Sequence, residues 1–247
     1  MPKDEKFVFR KTTESKRIKK VSVEKGERIS KGGLFSPSGV YEAKIETKRG
    51  GVPMVFKEYP TGKAYKLEAI SEVYKSMRHD RLRVPTTFRF DRKRGVSIMS
   101  DLNRAGRVAL SSRNDSDRKK FHSVESFPDF DAIVRNLFEE ALRASQLGYY
   151  IPSDSYFILL SQNPDIASDF VVGDLDTVSR DENAKPQKAG YVLSEAYYFL
   201  NYFIKNWMKP ELAPAFKEVV KAEYQAIQEK AIQMHLMDTA WEAVDVR

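Results

Sequence analysis

Two aspartates separated by one leucine close an apolar run in Val171-Val-Gly-Asp-Leu-Asp-Thr177. Carboxylates at the end of an apolar strand are hard oxygen donors of the kind that hold Mg²⁺. Aspartates also shape turns, so a plain turn role stands beside the metal role for Asp174 and Asp176. Lys57 interrupts a second apolar stretch, Met54-Val-Phe-Lys-Glu-Tyr59. Strand alternation puts its side chain on the face of Val55 and Tyr59. An ammonium buried there needs an anionic partner. Glu68 and Glu72 lie one turn apart on the following helical segment, and either fits that partner. The alternative is a solvent-facing lysine with two surface glutamates. Leu147-Gly-Tyr-Tyr-Ile-Pro-Ser-Asp-Ser-Tyr-Phe-Ile-Leu-Leu160 offers a single carboxylate, Asp154, in a turn-rich stretch. Gly33-Leu-Phe-Ser-Pro-Ser-Gly39 is a loop whose glycines let backbone N–H groups approach a phosphate, or simply make a hairpin turn.

Composition removes other chemistries. The chain has no cysteine, so a disulfide framework, a thiolate nucleophile and Cys-ligated zinc are excluded. His79, His122 and His235 are far apart in sequence and lack ligand spacing. No apolar run reaches membrane-spanning length, and the first residues lack the apolar stretch of a secretory signal. A cytoplasmic protein is expected, with export by a route that needs no apolar signal left open. The net charge of +7 is concentrated at the start, where residues 1–31 carry eleven Lys/Arg against five Asp/Glu. That segment reads as a solvated, partly disordered arm. Contact with nucleic acid through it is not expected, because no recognition fold accompanies the charge.

These residues need elements to hold them. Gly32–Thr47 reads as a turn and a strand, and Val52–Tyr59 as its hairpin partner. Leu67, Ile70, Val73, Tyr74 and Met77 form one helical stripe over residues 64–78. Val84–Phe90 and Val96–Met99 read as strands around a basic polar turn. Residues 103–129 read as a polar loop with a short helix, and Phe130–Leu147 as an amphipathic helix stopped by Gly148. Phe157–Leu160 and Phe170–Val172 are short apolar runs, and residues 179–190 a mobile polar loop. Ser194–Trp207 is an aromatic helix, with Tyr197, Tyr198, Phe199, Tyr202, Phe203 and Trp207 assigned to the core. Phe216–His235 is the last helix. The class is α+β, divided into a basic segment 1–30, a sheet-rich region 31–102 and a mainly helical region 103–247.

The order of elements, with Gly33/Gly39, Lys57, Glu68/Glu72 and Asp174 at successive places along it, resembles the protein kinase-like superfamily over residues 30–235. The resemblance implies a bilobal fold, with an antiparallel sheet plus one helix followed by a helical lobe. It implies ATP and Mg²⁺ as cofactors. Gly33, Ser36, Ser38 and Gly39 would cover the phosphates, and Lys57 would hold them with Glu68 or Glu72. The backbone at Asp101 and Leu102 would meet adenine, and Asp174 with Asp176 would bind the metal. The middle glycine of the kinase loop is absent, and so is the H-R-D-L-x-x-x-N signature. A shortened loop would place Asp154 to accept the substrate hydroxyl proton; the alternative is that Asp154 caps a turn. The function implied is an atypical phosphotransferase acting on a protein Ser or Thr. The alternative is a pseudokinase-like module that works by contact with a protein partner.

Overall fold

The computed structural model describes residues 6–11, 19–30, 39–47, 50–60, 64–86, 88–103, 106–112, 127–163, 165–181, 183, 186 and 188–241. Gly33, Ser36 and Ser38 lie outside these described residues. The chain divides into two compact units, Met1–Glu72 with Pro85–Arg104, and Val73–Val84 with Ala105–Arg247.

The first unit is a six-stranded antiparallel sheet. Its strands are β1 (Lys6–Lys11), β2 (Lys19–Ser30), β3 (Gly39–Thr47), β4 (Gly50–Glu58), β5 (Phe88–Asp91) and β6 (Val96–Ser100), in the order β1-β2-β3-β4-β6-β5. The helix α1 (Ala64–His79) follows β4. The β3–β4 hairpin pairs Gly39 with Glu58 through to Thr47 with Gly50, and Gly50 takes φ +104°, a conformation that favours glycine. One sheet face buries Val23, Ala43, Met54, Phe56, Val96 and Ile98 together.

The basic N-terminal segment corrects an expectation. Residues 6–11 and 19–30 are ordered into β1 and β2, rather than forming a loose arm. β2 pairs with β3 from Val23↔Ile45 to Ser30↔Val40, and Val23 is fully buried. β2 is an interior strand, between β1 and β3, and its Lys25 finds partners within the sheet. Lys25 Nζ lies 2.5 Å from a Glu58 carboxylate oxygen and 3.9 Å from the Tyr41 ring centroid.

The second unit joins helices to two small sheets. Its elements are β7 (Arg107–Ser111), α2 (Phe130–Gln146), β8 (Tyr149–Tyr150), β9 (Tyr156–Ser161), β10 (Asp169–Val172), β11 (Ser179–Arg180), α3 (Ala189–Trp207) and α4 (Ala213–Gln233). β10, β9 and β7 make one antiparallel sheet, and β11 pairs with β8. β7 arises in a stretch whose sequence reads as loop, because Val108↔Leu160 and Leu110↔Ile158 bring its apolar residues against β9. Likewise Ser179 and Arg180 form a strand pair with Tyr150 and Tyr149, rather than a mobile loop.

α2 carries a buried stripe of Ile133, Val134, Leu137, Phe138, Ala141 and Leu142, and ends at Gly148, whose φ of +84° halts the helix. The three helices meet through rings. Phe138 lies 5.5 Å from Tyr224, which stacks on Tyr197 at 4.5 Å. The aromatic face of α3 is less buried than its composition suggests. Tyr197, Phe199, Phe203 and Trp207 are in the core, but Tyr198 and Tyr202 are 37% and 40% exposed. At helical spacing the sequence assigns all six to the interior, yet only one stripe can face inward. No described helix is long and apolar enough to cross a membrane.

Glu140 on α2 illustrates a burial cost with a pH signature. Its carboxylate accepts the Arg83 backbone N–H at 2.6 Å and lies 3.7 Å from Arg83 Nε. Burial nevertheless raises its pKa above the ordinary carboxylate value, outweighing the Arg83 contacts. A raised acid binds its proton more tightly in the folded state. Its stabilising effect is therefore full below the unfolded pKa and is lost as pH rises towards the folded pKa. Glu140→Gln should remove that decline. The stability difference between Glu140→Gln and wild type, from denaturant midpoints, should grow as pH rises from about 4 towards neutrality. A difference independent of pH would refute the assignment.

Candidate functional site

Lys57 sits in the middle of β4, opposite Val40 on β3 and Ser97 on β6. Its residue exposure is 9%, which makes it the one buried lysine among the described residues. The hydroxyl of Ser97 lies 3.5 Å from that of Tyr59 in the same buried region. The surrounding strands make this burial unavoidable, since Val96–Ser100 is buried along its whole length.

The two candidate glutamates separate. Glu68 is 2.9 Å from Arg92, and both side chains are more than half exposed. Glu68 is thus engaged in a surface ion pair, which contributes about 0–1 kcal/mol. Glu72 is also exposed, one turn further along α1. Of the remaining loop residues, Gly39 opens β3, where an added Cβ would lie 2.6 Å from the Tyr41 ring. A side chain there would require the end of the Tyr41 ring to shift. Asp101 directs its N–H at Pro53 O, 3.4 Å away, and its carboxylate accepts the Asn103 N–H at 2.9 Å. Leu102 is half-buried beside it.

The second unit brings Asp154 and Asp174 to one end of a strand pair. β9 and β10 run antiparallel with Val172 opposite Tyr156. One step outward, Gly173 N–H donates to Ser155 O at 2.8 Å, and Asp174 N–H approaches the same oxygen at 3.3 Å. The Ser155 and Thr177 hydroxyls lie 3.0 Å apart. Asp154 belongs to a 3-10 turn, Ser153–Ser155, that leads directly into β9. The turn after β10 is anchored by Leu175, 2% exposed, and the Asp176 N–H approaches Asp174 Oδ1 at 3.4 Å. Asp154 Oδ1 and Asp176 Oδ2 are both shut off from solvent. Two segments singled out separately in the sequence are therefore locked together by their backbones.

Glu195, on α3, holds the Asp154 turn in place and was not singled out in the sequence. One carboxylate oxygen accepts the Tyr150 hydroxyl at 2.8 Å, and the other accepts the Ser153 N–H at 2.7 Å. Burial and the Glu195 contact push the Tyr150 pKa up to about 12, so the phenol remains a donor. A lone Glu within an aromatic helix was the available signal, but without the fold it had no assigned partner.

Among the described residues, no group of three or more His, Asp or Glu side chains is arranged to hold a metal ion alone. No protein-family model matches the chain, and a search of curated proteins finds no match.

Proposed function

We propose that the chain is an ATP- and Mg²⁺-dependent phosphotransferase, a protein Ser/Thr kinase of atypical type with a bilobal kinase-like fold. The observation that carries this reading is the backbone lock between the Asp154 and Asp174 turns through Ser155 O. It sets one carboxylate on each of two adjacent turns, supported by a buried scaffold. Lys57, buried on β4 of the first unit, is the cation that this reading assigns to phosphate oxygens.

The donor set suits Mg²⁺. Asp174 and Asp176 provide hard oxygens, and a site with only one or two protein carboxylates is what Mg²⁺ uses when phosphates and water complete its shell. Bound Mg²⁺–ATP would supply the transferable phosphoryl group and offset its developing charge. The chain's own residues do the rest. Lys57 binds phosphate oxygens. Gly39 keeps its loop end free of a side chain. Asp154 orients an acceptor hydroxyl and takes its proton, while Glu195 fixes the turn that carries it.

The short loop favours a second reading, a pseudokinase-like module. The 3-10 turn passes straight into β9, leaving no asparagine to hold a second ion. Incubation with labelled ATP, Mg²⁺ and a mixed protein acceptor separates the two. Wild type should transfer label, with the rate of Asp154→Ala lower by roughly 10²-fold or more. ATP binding without transfer would favour the module. Failure to bind nucleotide at all would exclude the phosphotransferase reading.

A further inference from the structure

The segment after α4 is held by a purpose-built contact that the phosphotransferase reading does not use. α4 ends in a Schellman turn, with Leu236 N–H donating to Ala231 O and His235 N–H to Ile232 O, each at 2.9 Å. His235 takes φ +57° there, a left-handed conformation uncommon for a residue other than glycine. The turn reverses the chain, so that Trp241 lies beside Gln228, thirteen residues earlier.

Gln228 is 1% exposed and devotes both ends of its amide to the backbone of that one residue. Its Oε1 accepts the Trp241 N–H, and its Nε2 donates to Trp241 O at 3.2 Å. The indole meets the Tyr191 ring edge to face, with centroids 5.0 Å apart. It also covers Gly190 so closely that an added Cβ would lie 2.7 Å from the indole. A backbone clamp, a glycine floor and an aromatic wall thus converge on one residue. A side-chain clamp on one residue's backbone, beside an aromatic contact for its partly exposed ring, is a way to hold a peptide segment.

We propose that Gln228, Gly190 and Tyr191 form a binding site for a peptide segment bearing an aromatic residue, filled in cis by Leu236–Trp241. A short connection gives the cis segment an effective concentration in the millimolar range, about the level a free peptide must exceed to displace it.

The site can be opened in the full chain. Trp241→Ala removes the cis side chain, and a labelled synthetic peptide with the sequence of residues 235–241 then serves as probe. Fluorescence anisotropy should show saturable binding to Trp241→Ala, at least tenfold weaker binding to Trp241→Ala/Gln228→Ala, and little binding to wild type. Gly190→Ala gives an independent check, because its methyl displaces the indole while alanine suits the helix. The chain has two tryptophans, and Trp207 is fully buried. Trp241 is already 38% exposed, so Gly190→Ala should raise the iodide quenching constant of that accessible tryptophan and shift its emission to the red. The proposal is overturned if folded Trp241→Ala takes up no peptide at millimolar concentration. Equal binding with and without Gln228 also overturns it, as does a wild type that binds as tightly as Trp241→Ala.

Discussion

Asp174→Asn should lower Mg²⁺-dependent label transfer from ATP by roughly 10²- to 10³-fold, with little change in thermal stability. The size follows from the role. A bound metal ion supplies several kcal/mol of charge stabilisation in the transition state, and about 1.4 kcal/mol corresponds to tenfold in rate. Loss of the anionic ligand forfeits most of that. The fold should tolerate the change, because asparagine keeps the oxygen that faces the Asp176 N–H at 3.4 Å. The lock to Ser155 O uses the residue 174 backbone, which the substitution leaves intact. Raising Mg²⁺ should restore part of the rate, since a weakened site fills at higher concentration. Wild-type rates in Asp174→Asn would end the assignment of Asp174 as a metal ligand. So would an equal loss accompanied by unfolding, which would make the residue structural.

The largest stability effect is expected at Trp207. It is fully buried at the end of α3, and its indole N–H donates to Ser111 O on β7 at 2.6 Å. The neighbouring Asn206 amide donates to Ser112 O at 2.7 Å, so consecutive side chains grip consecutive carbonyls. Trp207→Ala removes the ring and strands the Ser111 carbonyl. Truncating a buried tryptophan costs about 3–5 kcal/mol. For a chain of this size that is a fall in Tm of roughly 6–20 °C. Trp207→Phe keeps most of the ring and loses the hydrogen bond, a change of about 1–3 kcal/mol. Thermal and denaturant unfolding of the three proteins should therefore rank wild type, Trp207→Phe, Trp207→Ala. A shift of only a degree or two in Trp207→Ala would show that the ring does not tie β7 to α3.

Helices were readable because their signal is local. The stripe from Ile133 to Leu142 repeats at helical spacing, and Gly148 supplies the stop. The β3–β4 hairpin was readable for the same reason, with a glycine turn between two apolar strands. Lys57, Asp154 and Asp174 stood out because each breaks or closes an apolar run. The sequence leaves Lys57 between a buried and a solvent-facing side chain, and the fold buries it at 9% exposure. Other features carry no such mark. Arg107–Ser111 is a strand because β9 lies beside it, and Lys19–Ser30 is a strand because β3 does. Strand pairing is a long-range interaction, so a short or charged segment takes its state from its partner.

The amino-acid sequence by itself determined the helices, the β3–β4 hairpin, and which side chains have chemistry to offer, because periodicity and residue type act over a few positions. Only the tertiary structure decided that the Asp154 and Asp174 turns share Ser155 O, that Glu195 holds one of them, and that Glu68 turns to Arg92. It likewise decided that Tyr198 and Tyr202 face outward. Each of these depends on contacts between residues distant in the chain, and such contacts exist only once backbone pairing and core packing have fixed the register of whole elements.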